Sequence, residues 1–180
     1  MRKPSYQAWE IYVRVAVLLT ALTFAAPALA QNTAPSEAGI LEAPAVKKDL
    51  YPANANAPQE IEAALKRAVP DHKRVLLVFG GNWCYDCHVL DRALHEGAAG
   101  KIMKESFELV HVDIGEADKN LDLAKKYKIP LEKGVPAVAV LDDDGKLLYS
   151  SGDGEFEAAR TMRKKDLVAF LERWQKKKLE

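Results

Sequence analysis

Both cysteines of this 180-residue chain fall within one hexapeptide, Trp83-Cys84-Tyr85-Asp86-Cys87-His88. Two thiols with two residues between them can close a small ring and open it again, as reversible dithiol–disulfide exchange requires. The run before them, Arg74 to Phe79 (RVLLVF), is short, apolar and broken by Gly80-Gly81-Asn82, while Cys87, Leu90 and Leu94 repeat at helical spacing after it. The pair therefore sits where a buried strand hands over to a helix. Unpaired N–H groups and the partial positive charge of a helix N-terminus lower a thiol pKa from its free value of about 8.5. Asp86 pulls the other way, since a carboxylate beside the sulfurs disfavours thiolate, and this argues for a reductive pair over a strongly oxidising one. His88 is expected on the helix face near the thiols, tuning them. Trp83 and Tyr85, with Phe156 either joining them or lying in the core, are candidates for an apolar rim.

The same residues spell other uses. Cys84-Tyr85-Asp86-Cys87-His88 is the attachment signature of c-type haem, with His88 as axial ligand and Met103 or Met162 opposite, which keeps an electron carrier as the alternative. Haem attachment, however, needs no buried strand before the motif. A zinc site built on Cys84, Cys87 and His88 lacks a fourth ligand, so no metal is expected. A purely structural disulfide across so small a loop would constrain the unfolded chain little.

The surrounding pattern supplies the elements that hold the pair. Asn56 is a good N-cap with Pro58 in the first turn, and Ile61, Ala64, Leu65 and Ala68 mark one face of a helix ended by Pro70. A short helical stretch over Ala98 to Lys104 follows the cysteine helix. Phe107 to Ile114 reads as a second strand and Asn120 to Tyr127 as a helix. Ala137 to Leu141 and Leu147 to Ser150 read as strands joined by a hairpin at Asp142-Asp143-Asp144-Gly145. That turn lacks the alternating ligands and final Glu of a calcium loop. A last helix over Lys165 to Lys177 stacks Leu167, Phe170, Leu171 and Trp174 on one face. The order α-β-α-β-α-β-β-α specifies an α/β fold, a central mixed sheet with helices on both faces. His72, His95 and His111 show no partner by spacing.

With these residues in place, the sequence resembles the thioredoxin superfamily, and in particular exported bacterial thioredoxin-like proteins with a WCxxCH motif. The resemblance rests on the strand-turn-WCxxC-helix unit from Val75 to Leu90, on Gly134-Val135-Pro136 opening a later strand, and on the Asp-Gly hairpin after it. It implies that Cys84 is the attacking thiolate, that Cys87 resolves the mixed disulfide, and that Trp83 shields and positions them. It also implies a cis Val135-Pro136 peptide facing the cysteines, with the Val135 backbone pairing with a substrate chain. The chain departs from the pattern at Val78, where thioredoxins usually carry the buried Asp that handles the resolving cysteine's proton, and at Tyr85-Asp86, where they carry Gly-Pro. A non-catalytic thioredoxin-like binding module is the further alternative.

Arg2, Lys3 and Arg14 followed by uncharged Val15 to Ala26, then Ala28-Leu29-Ala30, form a secretory signal layout with cleavage after Ala30. The apolar run is shorter than the ~20 residues that span a bilayer, so no membrane anchor is expected after cleavage. Residues 1–30 are read as the signal peptide, 31–56 as a flexible linker rich in Asn, Ala and Pro, and 57–180 as the thioredoxin-like domain. Val46, Leu50 and Tyr51 are an apolar triplet able to dock on that domain. The 26 basic and 26 acidic residues balance, which excludes a polybasic nucleic-acid binder. Loss of the signal removes three bases and one acid, leaving a net charge of −2. The chain is thus expected to be a periplasmic or otherwise exported thiol–disulfide oxidoreductase without a cofactor, served by protein thiol or disulfide substrates and an upstream redox partner.

Overall fold

The computed structural model describes residues 39–41 and 49–175. The expected signal segment and its cleavage point, Val46 and the lysines at 176–178 lie outside these residues. Helix α1 (Ala57–Asp71) starts as expected, with the Asn56 side chain accepting from the Gln59 N–H. It ends one residue after Pro70, because His72 takes a left-handed conformation and turns the chain. Strand β1 (Arg74–Gly80) follows, then α2 (Tyr85–His95), α3 (Gly97–Ser106), β2 (Phe107–Asp113), α4 (Leu121–Lys126), β3 (Ala137–Leu141), β4 (Leu147–Ser150) and α5 (Lys164–Trp174).

Among the described residues the sheet has four strands in the order β2-β1-β3-β4. β1 runs parallel to β2 and antiparallel to β3, and β4 pairs antiparallel with β3. This is the expected mixed sheet. The continuous apolar run of β1 has a simple cause in the two-residue period of a strand. Val75, Leu77 and Phe79 face one core with Ile61, Ala64 and Ala68 of α1 and Ala124 of α4. Leu76 and Val78 face the other, with Leu90 and Leu94 of α2, Met103 of α3 and Leu167 and Leu171 of α5. Central β1 is thereby dry on both sides and rigid at its end, where the cysteines begin.

The hairpin between β3 and β4 is closed by Asp142, whose Oδ1 accepts from the Asp144 and Lys146 N–H groups. Gly145 supplies the left-handed residue, φ +82°. The aspartates thus serve the turn.

The reading of residues 31–56 as a flexible linker needs correction in its described parts. Ile40 bridges Arg163, and Leu41 is buried in the core cluster beside α5. Leu50 and Tyr51 are buried as well, Tyr51 at 1% exposure. Burying such a side chain is worth about 1.5–3 kcal/mol, enough to dock Leu50 and Tyr51, as their apolar character allows, in a segment whose Pro- and Ala-rich composition is otherwise that of a spacer. Leu50 and Tyr51 pack on the cysteines themselves.

Candidate active site

Three loops meet at the end of β1. Its last residue, Gly80, is followed by Gly81-Asn82-Trp83, and Cys84 is the N-cap of α2. Cys84 and Cys87 are joined as a disulfide. The Cys87 N–H donates to Cys84 Sγ at 3.1 Å, so the helix terminus serves the first sulfur directly. From the opposite side comes Val135, whose carbonyl oxygen lies 3.5 Å from Cys84 Sγ; the Val135-Pro136 peptide is cis. Val135 packs against the cysteines while Pro136 is buried at the start of β3.

The remaining expected residues divide into two groups. Trp83 and Tyr85 are exposed and flank the pair, Trp83 held by its indole N–H donating to the Gly115 carbonyl at 2.7 Å. Phe156 is core, packed on Phe170 away from this rim. Asp86 is not a free charge beside the sulfurs. Its buried carboxylate accepts from the Arg160 backbone N–H at 2.8 Å and pairs with the Arg160 guanidinium through Nε and NH2. Arg160 also lies over the Tyr85 ring, 5.4 Å from its centroid. The charge of Asp86 is therefore compensated, and the same pairing holds the guanidinium protonated above its usual range.

His88 is buried on α2, not on an open face. Its Nε2 donates to the Asn82 carbonyl at 2.9 Å, which leaves Nδ1 as the bare, unpartnered nitrogen. The residues do not fit a haem. Cys87 has no exposure, His88 Nε2 is committed to the backbone, and Met103 and Met162 pack in the core cluster beside α5.

Sequence reading missed four participants. Asn82 clamps the N-terminal segment to the cysteine loop, its side chain accepting from the Tyr51 N–H at 2.9 Å and donating to the Tyr51 carbonyl at 2.7 Å. The clamp places the Tyr51 ring behind Cys87. Gly80 makes room for it: a Cβ there would stand 2.5 Å from Cys87 Sγ and 2.6 Å from the Tyr51 hydroxyl. Asp91, one turn along α2 from Cys87, is buried at 4% exposure. Its carboxylate lies 3.3 Å from His111 Nε2 and 3.4 Å from His95 Nδ1, and the latter also donates to the Asp91 carbonyl at 2.7 Å. The His111 ring meets the Tyr51 ring edge-on, centroids 5.2 Å apart. Burial, then the charges of Asp91 and Asp113, push the ionisation of Tyr51 far above its ordinary value. Its hydroxyl has no hydrogen-bond partner, a condition that costs about 1–3 kcal/mol in a protein interior. The expectation that His95 has no partner by spacing is corrected here: Asp91, four residues earlier on the same helix, is its partner.

The fold and its cysteine pair place the molecule among thioredoxin-like disulfide oxidoreductases as a class. Comparison with known proteins narrows this. A thioredoxin-like family profile matches residues 56–143. The crystal structure of a disulphide isomerase from Xylella fastidiosa Temecula1 is 37% identical over 69% of this chain and 95% of its own, with a TM-score of 0.65. The chain belongs to the thioredoxin-like family. More distant solved structures include the C-terminal domain of Neisseria meningitidis DsbD, 20% identical over 66% of this chain and 96% of its own, TM-score 0.47. A thioredoxin from Thermus thermophilus is 16% identical over 62% of this chain and 81% of its own, also at TM-score 0.47. No curated protein sequence matches.

Proposed function

We propose that this chain is an exported thiol–disulfide oxidoreductase that works in the reducing direction on protein disulfides. The unlike setting of the two sulfurs carries this. Cys84, 5% exposed, lies between exposed Trp83 and Tyr85 and beside the Val135 carbonyl, while Cys87 beneath it has no exposure. A substrate chain laid along Val135 would bring its disulfide to Cys84 alone. Thiolate at Cys84 attacks one substrate sulfur and expels the other as a thiolate; Cys87 then attacks Cys84, closes the ring and releases the second thiolate. An upstream redox partner returns the pair to the dithiol.

Support for the reducing direction comes from weak thiolate stabilisation. Cys84 draws on a single backbone N–H at the helix terminus, and Cys87 has no exposure to solvent. A strong oxidant needs the reduced form stabilised. The Asp86 charge, which Arg160 compensates, contributes less than its sequence position suggested. Export is supported by the N-terminal signal layout; among the described residues no helix is long and apolar enough to cross a membrane.

Replacement of Cys87 by Ser, expressed in the full chain with its N-terminal segment, is expected to trap mixed disulfides with exported proteins, and Cys84→Ser to trap none. Absence of adducts with Cys87→Ser would favour a non-catalytic binding module. The Xylella relative's description as a disulphide isomerase supports a second reading, isomerisation. Recovery of a scrambled disulfide protein at a constant total thiol count would favour it over net reduction.

A further inference from the structure

With Cys84 as attacking thiol and Cys87 as resolving thiol, the reading on which this rests, an outside chain must meet the first sulfur and not the second. We propose that the N-terminal segment enforces this choice: the Tyr51 ring covers Cys87, and Asn82 is the positioning residue that holds the cover in place.

Leu50 and Tyr51 precede α1 and lie outside the residues 56–143 that the family profile matches, yet they cluster with Cys84, Cys87 and Val135. The phenolic end of Tyr51 and Cys87 Sγ flank one point. A Cβ on Gly80 would stand 2.5 Å from the sulfur, 2.6 Å from the hydroxyl oxygen and 2.9 Å from Cζ. Tyr51 is 1% exposed and Cys87 not at all. His111 of β2 meets the ring edge-on. Gly81 makes the matching provision on the other side, where a Cβ would stand 2.6 Å from Nε1 of exposed Trp83. Two successive glycines thus give their space to two aromatic rings, a buried one at Cys87 and an exposed one beside Cys84.

Residues 49–56 form neither helix nor strand, so the ring stays in place only if its backbone is held. Asn82 holds it with both ends of its amide, accepting from the Tyr51 N–H at 2.9 Å and donating to the Tyr51 carbonyl at 2.7 Å. Asn82 is fixed in turn from α2, its own carbonyl accepting from His88 Nε2 at 2.9 Å. His88 directly follows Cys87, so the cover is tied back to the helical turn that carries the sulfur beneath it. A reagent reaches Cys87 only when the segment lifts, and the two amide hydrogen bonds set how often it does. The Tyr51 hydroxyl makes no hydrogen bond; the covering surface is the ring.

Alkylation of the full chain by iodoacetamide, in which a thiolate displaces iodide and becomes a thioether, tests this. In the reduced parent, peptide mapping is expected to find Cys84 modified and Cys87 slower by about a hundredfold or more. Comparable rates at the two sulfurs would overturn the assignment of Cys84 as attacking thiol, a failure distinct from that of the cover. With Cys84→Ser as the background, so that Cys87 alone reacts, Asn82→Ala and Tyr51→Ala are each expected to raise the Cys87 rate about tenfold or more. The factor is expected to hold at every pH from about 7 to 9, because access changes and thiol ionisation does not. It is also expected to be insensitive to urea below about 1 M, as reaction through a local opening is. Tyr51→Phe keeps the ring and is expected to stay within about twofold of the background. Rates within about twofold of the background in both alanine variants would overturn the cover. So would a rise that vanishes toward high pH, a rise that steepens with urea as global unfolding does, or a tenfold rise in Tyr51→Phe.

Discussion

Cys84 and Cys87 are bonded to each other and three residues apart, yet their two flanks are built from different materials. The Cys84 flank is backbone and surface: the Cys87 N–H, the Val135 carbonyl, and the exposed rings of Trp83 and Tyr85. The Cys87 flank is interior: the Tyr51 ring, for which Gly80 leaves space, is backed by His111, whose Nε2 lies 3.3 Å from Asp91. Backbone groups at a surface suit a site that must accept many partner chains, because every chain offers the same complement. A flank without exposure suits a sulfur that meets its neighbour Cys84 and no partner chain. The motif's twofold look in sequence hides this division of work.

The flanks can be separated by substitution, and the largest effect is expected on the buried side. Gly80→Ala puts a methyl into the space of both Cys87 Sγ and the Tyr51 hydroxyl. Overpacking of this kind is expected to lower stability by about 2–3 kcal/mol in urea unfolding. If stability is unchanged, the Cys87 flank is looser than described. A second test uses pH. Tyr51 keeps its proton in the fold well above its ordinary range. Below about pH 10 both folded and unfolded tyrosine are protonated and nothing changes; above it only the unfolded chain ionises, so stability falls as pH rises. Tyr51 is expected to contribute a slope of about −1.4 kcal/mol per pH unit there, absent in Tyr51→Phe.

Effects on the surface flank are expected to be smaller. Arg160→Met leaves the Asp86 carboxylate without its guanidinium partner beside the pair. The exchange equilibrium with glutathione is expected to shift a few-fold toward disulfide, and an opposite shift would show that Arg160 acts on the sulfurs through something other than Asp86. Trp83→Ala removes half of the exposed aromatic rim. KM for a disulfide-bonded protein substrate is expected to rise about fivefold with kcat little changed, the usual worth of one interface aromatic.

The same division explains what was readable in sequence. Strand and helix positions followed from apolar period: RVLLVF read as a strand buried on both faces, and Leu167, Phe170, Leu171 and Trp174 marked the apolar face of α5. The surface flank was readable because the family motif names its residues. Asp86 was located but its partner was not, since Arg160 is 74 residues away and no local pattern joins them. The buried flank was nearly invisible. Tyr51 was marked in sequence only as an apolar residue able to dock, and its place against Cys87 depends on Asn82 holding it by the backbone. His111 looked like one polar residue on a strand, and only the parallel pairing of β2 with β1 brings it level with Val78 and toward α2.

The reduction potential of the Cys84–Cys87 pair, measured by equilibration with glutathione, tests the central claim most directly. Weakly stabilised thiolates predict a value near those of reducing thioredoxins, about −230 to −270 mV. A value near −120 mV, as for strong oxidants, would contradict the account.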